Sequence, residues 1–191
     1  MSALAVAMDT LVCYNVDTEW PRQSVNSPGP GQYGQGRAVA GAFRGETPVT
    51  SAMERRIAEE ARSWCGTRFH HGSRIRGVGV DCVNLVVAIL EAVGLIARQE
   101  LPSYSPDWML HHGREILLEG IARVADPIEP PFEVGDILTY KFGRAASHCG
   151  LYIGEGRVVH AATRDQVRCD LIATASLTRR FVAAYRLRRS G

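Results

Sequence analysis

The stretch Gly77-Val78-Gly79-Val80-Asp81-Cys82-Val83-Asn84-Leu85-Val86-Val87 decides how the rest of the chain is read. Gly77 and Gly79 allow the approach to take positive φ. Asp81 is a residue type that caps helix N-termini, and the apolar run from Val83 to Leu90 reads as a buried helix. Cys82 then falls in the first helical turn. There the unpaired backbone N–H groups and the positive end of the helix dipole favour a thiolate over a thiol. A sulfur placed this way is a nucleophile that needs a base. Taken alone, a cysteine here is more simply a small residue packing the start of a helix, so the decision rests on what lies downstream.

Downstream, Ser147-His148-Cys149-Gly150-Leu151-Tyr152-Ile153-Gly154 starts with a histidine and alternates as a strand does. Arg157-Val158-Val159-His160-Ala161-Ala162 follows after a Gly154-Glu155-Gly156 turn and carries a second histidine. So short a glycine turn predicts an antiparallel hairpin. Counted from a turn centre near Gly154, His148 and His160 each lie six residues away, which predicts that they pair across the hairpin on one face. A cysteine at a helix start, a histidine base and a second polar residue that holds the base make a nucleophile–base–orienter triad. The plainer alternative for His160 is a strand histidine bonded to a neighbouring carbonyl.

The ordered set Gly66-Thr67-Arg68-Phe69, Asp81-Cys82, His148 with Gly150-Leu151-Tyr152-Ile153-Gly154, and Val159-His160-Ala161 resembles the NlpC/P60 cysteine peptidases in order and spacing. Pro102-Ser103-Tyr104-Ser105-Pro106-Asp107-Trp108 and Val134-Gly135-Asp136-Ile137-Leu138 look like a narrower group within it, the cell-wall peptidases of tailed phages and gene transfer agents. The resemblance covers roughly residues 53–188. It implies an α+β, papain-like fold with N-terminal helices packed on an antiparallel sheet. It also implies cleavage of peptidoglycan stem peptides, usually between D-Glu and diaminopimelate, with Cys82, His148 and His160 as the catalytic set and no cofactor.

Further site residues follow from the same resemblance. Asp81 lies in the family near the amine of the substrate's first residue; here it does that or simply caps the helix. His71, in the loop before Cys82, is a candidate for lining the substrate cleft. Many relatives carry Tyr where this chain has Phe69, on the substrate side; Phe69 cannot donate a hydrogen bond, so an oxyanion would rely on backbone N–H groups such as that of Cys82. Relatives commonly have Ser-Gly after the cysteine where Val83-Asn84 stands here, which bears on the bond cleaved. These departures support a rival reading, a structural tail or assembly module with the same fold. An amidase or acyltransferase on a papain-like scaffold is a third. His70-His71 and His111-His112 lack the CxxC or HExxH companions of a zinc site, so no metal is expected.

Composition fits this picture. A chain of 191 residues, 46% hydrophobic, has room for one domain with a proper core, and a net charge of +2 gives no argument for nucleic acid. Five cysteines, without a CxxC pair, suggest free thiols and synthesis in a reducing compartment. Cys65 and Cys149 read as packing residues, whereas Cys13 and Cys169 have no telling context. The arginines at 179, 180, 186, 188 and 189 read as a solvated face of the last strand, or as a surface touching an anionic polymer. No apolar run approaches the ~18 residues of a membrane span, and Met1–Val12 lacks a basic n-region and is interrupted by Asp9. The expectation is a protein made in the cytoplasm without a signal peptide and then incorporated into a phage-like particle, with particle proteins as partners and no membrane contact.

Along the chain, residues 1–50 are rich in Pro, Gly, Ser and Gln and read as a disordered leader or extension, leaving 51–191 as the catalytic domain. Ser51-Ala52-Met53-Glu54 is a capping box that opens a first helix through Ile57, Ala58, Ala61 and Trp64. Residues 66–79 read as a loop on the active-site side. The second helix runs from Cys82 to about Ala92, with Gly94 as its terminating glycine. Met109–Val124 reads as a third helix, Asp126–Pro131 as a break. Strands are expected at 137–142, 148–153, 158–162, 167–171 and 181–187, an α+β order of helices first and antiparallel strands afterwards.

Overall fold

In the computed structural model residues 51–99, 101 and 115–188 are described, and the account below concerns these. The expected leader 1–50, the Pro102–Trp108 segment, His111-His112 and the first part of the expected third helix lie outside them.

Helix α1 (Ala52–Ser63) begins as its sequence dictates. Ser51 Oγ accepts from the Glu54 N–H at 3.1 Å, and the Ser51 N–H donates back to Glu54 at 2.7 Å, the reciprocal capping box. Its inward stripe is Ile57, Ala58 and Ala61. Trp64 takes the next core position, which turns Cys65 outward; Cys65 is exposed and is not the packing residue expected. Helix α2 (Cys82–Ala92) is buried along nearly all its length. It ends in a Schellman arrangement: the Gly94 N–H reaches the Glu91 carbonyl at 3.0 Å and the Leu95 N–H the Leu90 carbonyl at 2.9 Å. Gly94, at φ 79°, supplies the left-handed residue this termination needs.

Between the two helices the expected loop contains a small hairpin, β1 (Arg74–Ile75) and β2 (Gly79–Val80), antiparallel, that delivers the chain to Asp81 and Cys82. Phe69 makes a parallel bridge to Val80, and Arg68 an antiparallel bridge to Gln166, so this segment is tied to the hairpin and to the far side of the domain. Such two-residue strands leave too short a period to be seen in a sequence.

After the short helix α3 (Ile116–Ile121) come β3 (Ala125–Ile128), β4 (Ile137–Lys141), β5 (Ala146–Tyr152), β6 (Arg157–Ala161), β7 (Val167–Leu171), the single turn α4 (Ala175–Thr178) and β8 (Phe181–Leu187). The six strands form one sheet in the order β3-β8-β4-β5-β6-β7, and every pairing is antiparallel. Strand β3 corrects the expected break at 126–131. It is an edge strand, the one place where Pro127 can lack an N–H without breaking a ladder on both sides. Among the described residues no helix is long and apolar enough to cross a membrane.

The sheet has two faces. On one, Ile137, Cys149, Leu151, Val159, Ala161, Ala183 and Tyr185 pack with α1, α2 and α3 into the main core, where Leu85 and Ile89 are fully buried. Burying each such side chain contributes about 1.5–3 kcal/mol. On the other face, Leu138, Tyr140, Tyr152, Val158 and Ala184 meet Phe132, Ile172 and Leu177 in a second cluster. Of the arginines at this end, Arg179, Arg180 and Arg188 are exposed, as a solvated face has them, and Arg186 is half-buried; Arg189 lies outside the described residues. Arg186 makes a bidentate pair with the buried Asp136 at 2.8 and 2.9 Å and reaches Glu133 at 2.8 Å. Arg188 binds Asp126 at 2.8 Å and the carbonyls of Ala122, Arg123 and Ala125. These arginines hold β8 to the strand start at Asp136 and to β3.

Candidate active site

Cys82 is the first residue of α2, and Asp81 is its N-cap. Asp81 is 2% exposed, and its carboxylate accepts from the Asn84 N–H (2.9 Å), the Asn84 side-chain amide (3.1 Å to each oxygen) and the Gly72 N–H (2.7 Å). One buried carboxylate therefore both starts the helix and ties the loop ahead of it to the cap. His71 stands beside it, Nδ1 at 4.0 Å from Asp81 Oδ2. Asn84 turns back onto the cap, and Val83 is half-buried against the main core, so the pair that departs from the family pattern serves the helix start. Phe69 is half-buried against the same core, and its N–H donates to the Asp165 carbonyl at 2.8 Å.

The hairpin β5–β6 brings the histidines together, though not in the expected register. Leu151 pairs with Val159 and Tyr152 with Val158, so the hairpin is centred on Glu155 and not on Gly154. Gly154, Glu155 and Gly156 all have positive φ. Continued along the strands, this register sets Gly150 opposite His160 and leaves His148 on the same face but two residues further on. The two histidines are diagonal neighbours, within side-chain reach. Gly150 makes the diagonal possible, since a Cβ there would come within 2.9 Å of the His160 Cβ. His148 Nε2 and His160 Nδ1 are 2.9 Å apart, with the rings near perpendicular at 85°. Tyr140 and Phe142 stand around the His148 ring with centroids at 6.0 and 5.1 Å.

Strand β5 carries a bulge at this point. Tyr140 pairs with His148 and Lys141 with Ala146, so Ser147 has no partner in the ladder; its hydroxyl donates to the Phe142 carbonyl at 3.0 Å. Bulges bend a strand and re-aim its side chains. The bend lets the adjacent His148 and Cys149, which alternation alone would send to opposite faces, both reach Cys82. The Cys149 thiol lies 3.5 Å from the Cys82 carbonyl and hydrogen-bonds the Cys82 sulfur. That hydrogen bond lowers the Cys82 pKa well below the ordinary thiol value, and the bond to His148 and its charge lower it further; burial and the Asp81 carboxylate oppose them. Cys149 moves the opposite way: donating to Cys82, and buried, it stays a thiol. Cys149 is thus a core residue on the helix-facing side that also touches the sulfur, a second contact that strand alternation alone concealed.

A fourth group is present that sequence reading passed over. Asp170 on β7 lies 3.2 Å from His160 Nε2, on the side of the ring away from His148. Its only signal was membership of the strand expected at 167–171. Burial, then the neighbouring His148, push the His160 pKa down to about 4 against the pull of Asp170, so His160 is neutral at neutral pH. Among the described residues no three His, Cys, Asp or Glu side chains are grouped to hold a metal ion. His70 instead pairs its Nδ1 with the His71 carbonyl at 3.1 Å.

A thiolate-prone cysteine at a helix start, facing a histidine held by a second one on an antiparallel sheet, is a papain-like arrangement. The family model described as "NlpC/P60 family" matches residues 66–186, more than half of the chain. The chain belongs to the NlpC/P60 family. A Mycobacterium tuberculosis protein named "Probable endopeptidase Rv2190c" is 30% identical over 107 residues, 56% of this chain and 23% of that protein. The chain thus spans about a quarter of the length of the curated relatives it matches. Among solved structures, an NLP/P60 family protein from Staphylococcus aureus, described as similar to lipoprotein, superposes with a TM-score of 0.54. Its identity is 16%, over 77% of this chain and 45% of that one. An NlpC/P60 family protein from Bacillus cereus gives 0.52 at 16% identity, over 73% and 41%. These likenesses carry the α+β, papain-like fold of the NlpC/P60 family.

Proposed function

We propose that this NlpC/P60 protein is a cysteine endopeptidase that cleaves peptidoglycan stem peptides, at the bond between D-Glu and diaminopimelate. The observation that carries the proposal is the line from Cys82, at the first turn of α2, to His148 and on to His160 at 2.9 Å. The Cys82 thiolate attacks the scissile carbonyl carbon and forms a tetrahedral intermediate. The backbone N–H of Cys82, in the first helical turn where N–H groups have no intrahelical acceptor, is the donor that would stabilise the oxyanion. His148 then donates its proton to the leaving amine, the C–N bond breaks, and an acyl-enzyme remains. A water deprotonated by His148 attacks the thioester, releases the carboxylate product and restores the thiol. His160 keeps the His148 ring in line throughout. Asp81 and His71 flank the nucleophile where the free amine of a stem peptide would sit.

The setting we propose is a phage or gene-transfer-agent tail, with the chain made in the cytoplasm and built into the particle. The sequence resemblance at Pro102–Trp108 and Val134–Leu138 supports it. The experiment is digestion of purified peptidoglycan by the wild type and by Cys82→Ala, with soluble products identified by mass spectrometry. Stem-peptide fragments from the wild type alone are the expected result and identify the bond. No release by the wild type, together with a Cys82 that resists alkylation, overturns the proposal.

A further inference from the structure

We propose that Asp170 is a positioning residue of this site, setting through His160 the tautomer in which His148 presents Nδ1 to the Cys82 sulfur. The inference deepens the peptidase reading and rests on it for its consequence in turnover, but its geometry stands apart from any substrate. The chain of donors and acceptors runs one way. A carboxylate only accepts hydrogen bonds. Asp170 Oδ2 lies 3.2 Å from His160 Nε2, so His160 carries its proton on Nε2. A neutral imidazole with a proton on Nε2 has an acceptor at Nδ1. That Nδ1 faces His148 Nε2 at 2.9 Å, so His148 must be the donor, with its proton on Nε2. The remaining nitrogen of His148, Nδ1, is left to take or give the proton of the cysteine. Were the Asp170 oxygen removed, either tautomer of His160 would serve. In half of the alternatives His148 would have to place its bare nitrogen toward His160 and its N–H toward the thiol, where it is no base.

The surroundings favour this direction. His148 and His160 are 4% and 5% exposed, so water does not compete for the ring nitrogens as it would at a surface. Asp170 lies at the rim of the buried pair, with 28% of its side chain exposed, and Arg168 reaches the same oxygen from outside at 3.5 Å. Arg168 also reaches Asp165 at 3.4 Å. The groups facing His160 are therefore His148, Asp170 and, further out, Arg168, and only Asp170 accepts from it. Its place on β7 is set by the β6–β7 ladder, in which Val158 pairs with Asp170 and His160 with Arg168. Asp170 is thus a diagonal neighbour of His160 on one side just as His148 is on the other. One face of three adjacent strands holds the whole line.

The test uses the full chain. Histidine tautomers are read by long-range ¹H–¹⁵N correlation in a Cys82→Ala background, where no thiol competes for His148 Nδ1. The expected spectrum has pyrrole-type Nε2 and pyridine-type Nδ1 on both His148 and His160. A proton on Nδ1 of either ring overturns the proposal without any further variant. Asp170→Ala, made on the wild-type cysteine, is expected to slow alkylation of Cys82 at neutral pH by about 10–100-fold, the size of loss known when a partner that orients a metal-ligating histidine is removed. The alkylated peptide is followed by mass spectrometry to separate Cys82 from the exposed Cys65. Turnover of peptidoglycan falls by a similar factor through kcat with KM little changed, and Asp170→Glu recovers part of both. A folded Asp170→Ala protein with unchanged His160 tautomer and unchanged Cys82 alkylation refutes the assignment. Alkylation and tautomers need no peptidoglycan. A wild type that shows both signatures yet releases no peptide therefore rejects the peptidase reading alone.

Discussion

Gly150→Ala is the substitution for which the structure sets the clearest magnitude. Gly150 has ordinary extended backbone, so nothing is lost in φ; the constraint is space. An added Cβ would stand 2.7 Å from Val158 Cγ2, 2.9 Å from the His160 Cβ and 2.9 Å from the Val159 carbonyl oxygen. Ordinary contact begins at 3.4 Å, and the Val159 oxygen is backbone, which no rotamer change relieves. Strand β6 must therefore retreat by roughly 0.5–0.7 Å, an overpacking of the kind that costs about 1–3 kcal/mol. Replacing a strand glycine returns about 0.5–1 kcal/mol. The net loss, centred on about 1 kcal/mol and at most about 2.5, lowers the Tm of a chain of this size by roughly 2–4 °C per kcal/mol. The same retreat stretches the His148–His160 bond from 2.9 Å to about 3.4 Å, the edge of a hydrogen bond. A displacement of that size reduces Cys82 reactivity by about tenfold to a hundredfold. Calorimetry gives the first quantity, and the pH profile of Cys82 alkylation, with peptidoglycan digestion beside it, gives the second. Gly156→Ala is the control: its Cβ meets nothing within 4 Å and only its φ of 67° is strained, so it lowers Tm without touching Cys82. If Gly150→Ala matches the wild type in both measurements, the close approach of β5 and β6 is not what aligns the histidines.

Two further expectations concern charge. His160 is held to about 4 in the folded protein, against about 6.5 in an unfolded chain. The unfolded state therefore binds more protons between these values, and stability falls as pH drops from about 6.5 to 4, by up to roughly 3 kcal/mol. Urea unfolding across that range measures the fall, and His160→Gln should flatten it. Asp81→Asn removes a carboxylate that raises the Cys82 pKa, so the midpoint of Cys82 alkylation moves to lower pH. Because Asp81 accepts from Gly72 and Asn84 with both oxygens, the same variant leaves a buried donor unmatched and loses about 1–3 kcal/mol of stability in denaturant titration.

Local chemistry is legible in the sequence itself. The reciprocal bonds of Ser51 and Glu54, the cap at Asp81, the buried length of α2 and its glycine ending depend on residues within four or five positions of one another. All five expected strands lie within two residues of the observed ones, and β7 and β8 coincide with them. Cys82, His148 and His160 could be singled out because helix start and hairpin each leave a local mark. Where the sequence pointed amiss, the answer depended on partners distant in the chain. Asp126–Pro131 looked like a break because proline disfavours strands, yet an edge strand needs only half of its hydrogen bonds, and which strand is the edge is settled by the order β3-β8-β4-β5-β6-β7. The carboxylates that Arg186 and Arg188 bind, Asp136 and Asp126, lie 50 and 62 residues away in the chain, so the strand's own sequence does not show them. The half-turn difference between a hairpin centred on Gly154 and one centred on Glu155 changes directly opposed histidines into diagonal ones, and so makes Gly150 part of the site. Cys149 meets Cys82 only through the packing of β5 on α2, and Asp170 meets His160 only through a third strand. Sequence determined which side chains are the candidate nucleophile and base, because those marks are written within one turn or one hairpin. Tertiary structure alone decided what stands behind them, because register and sheet order are fixed by burial summed over the whole core.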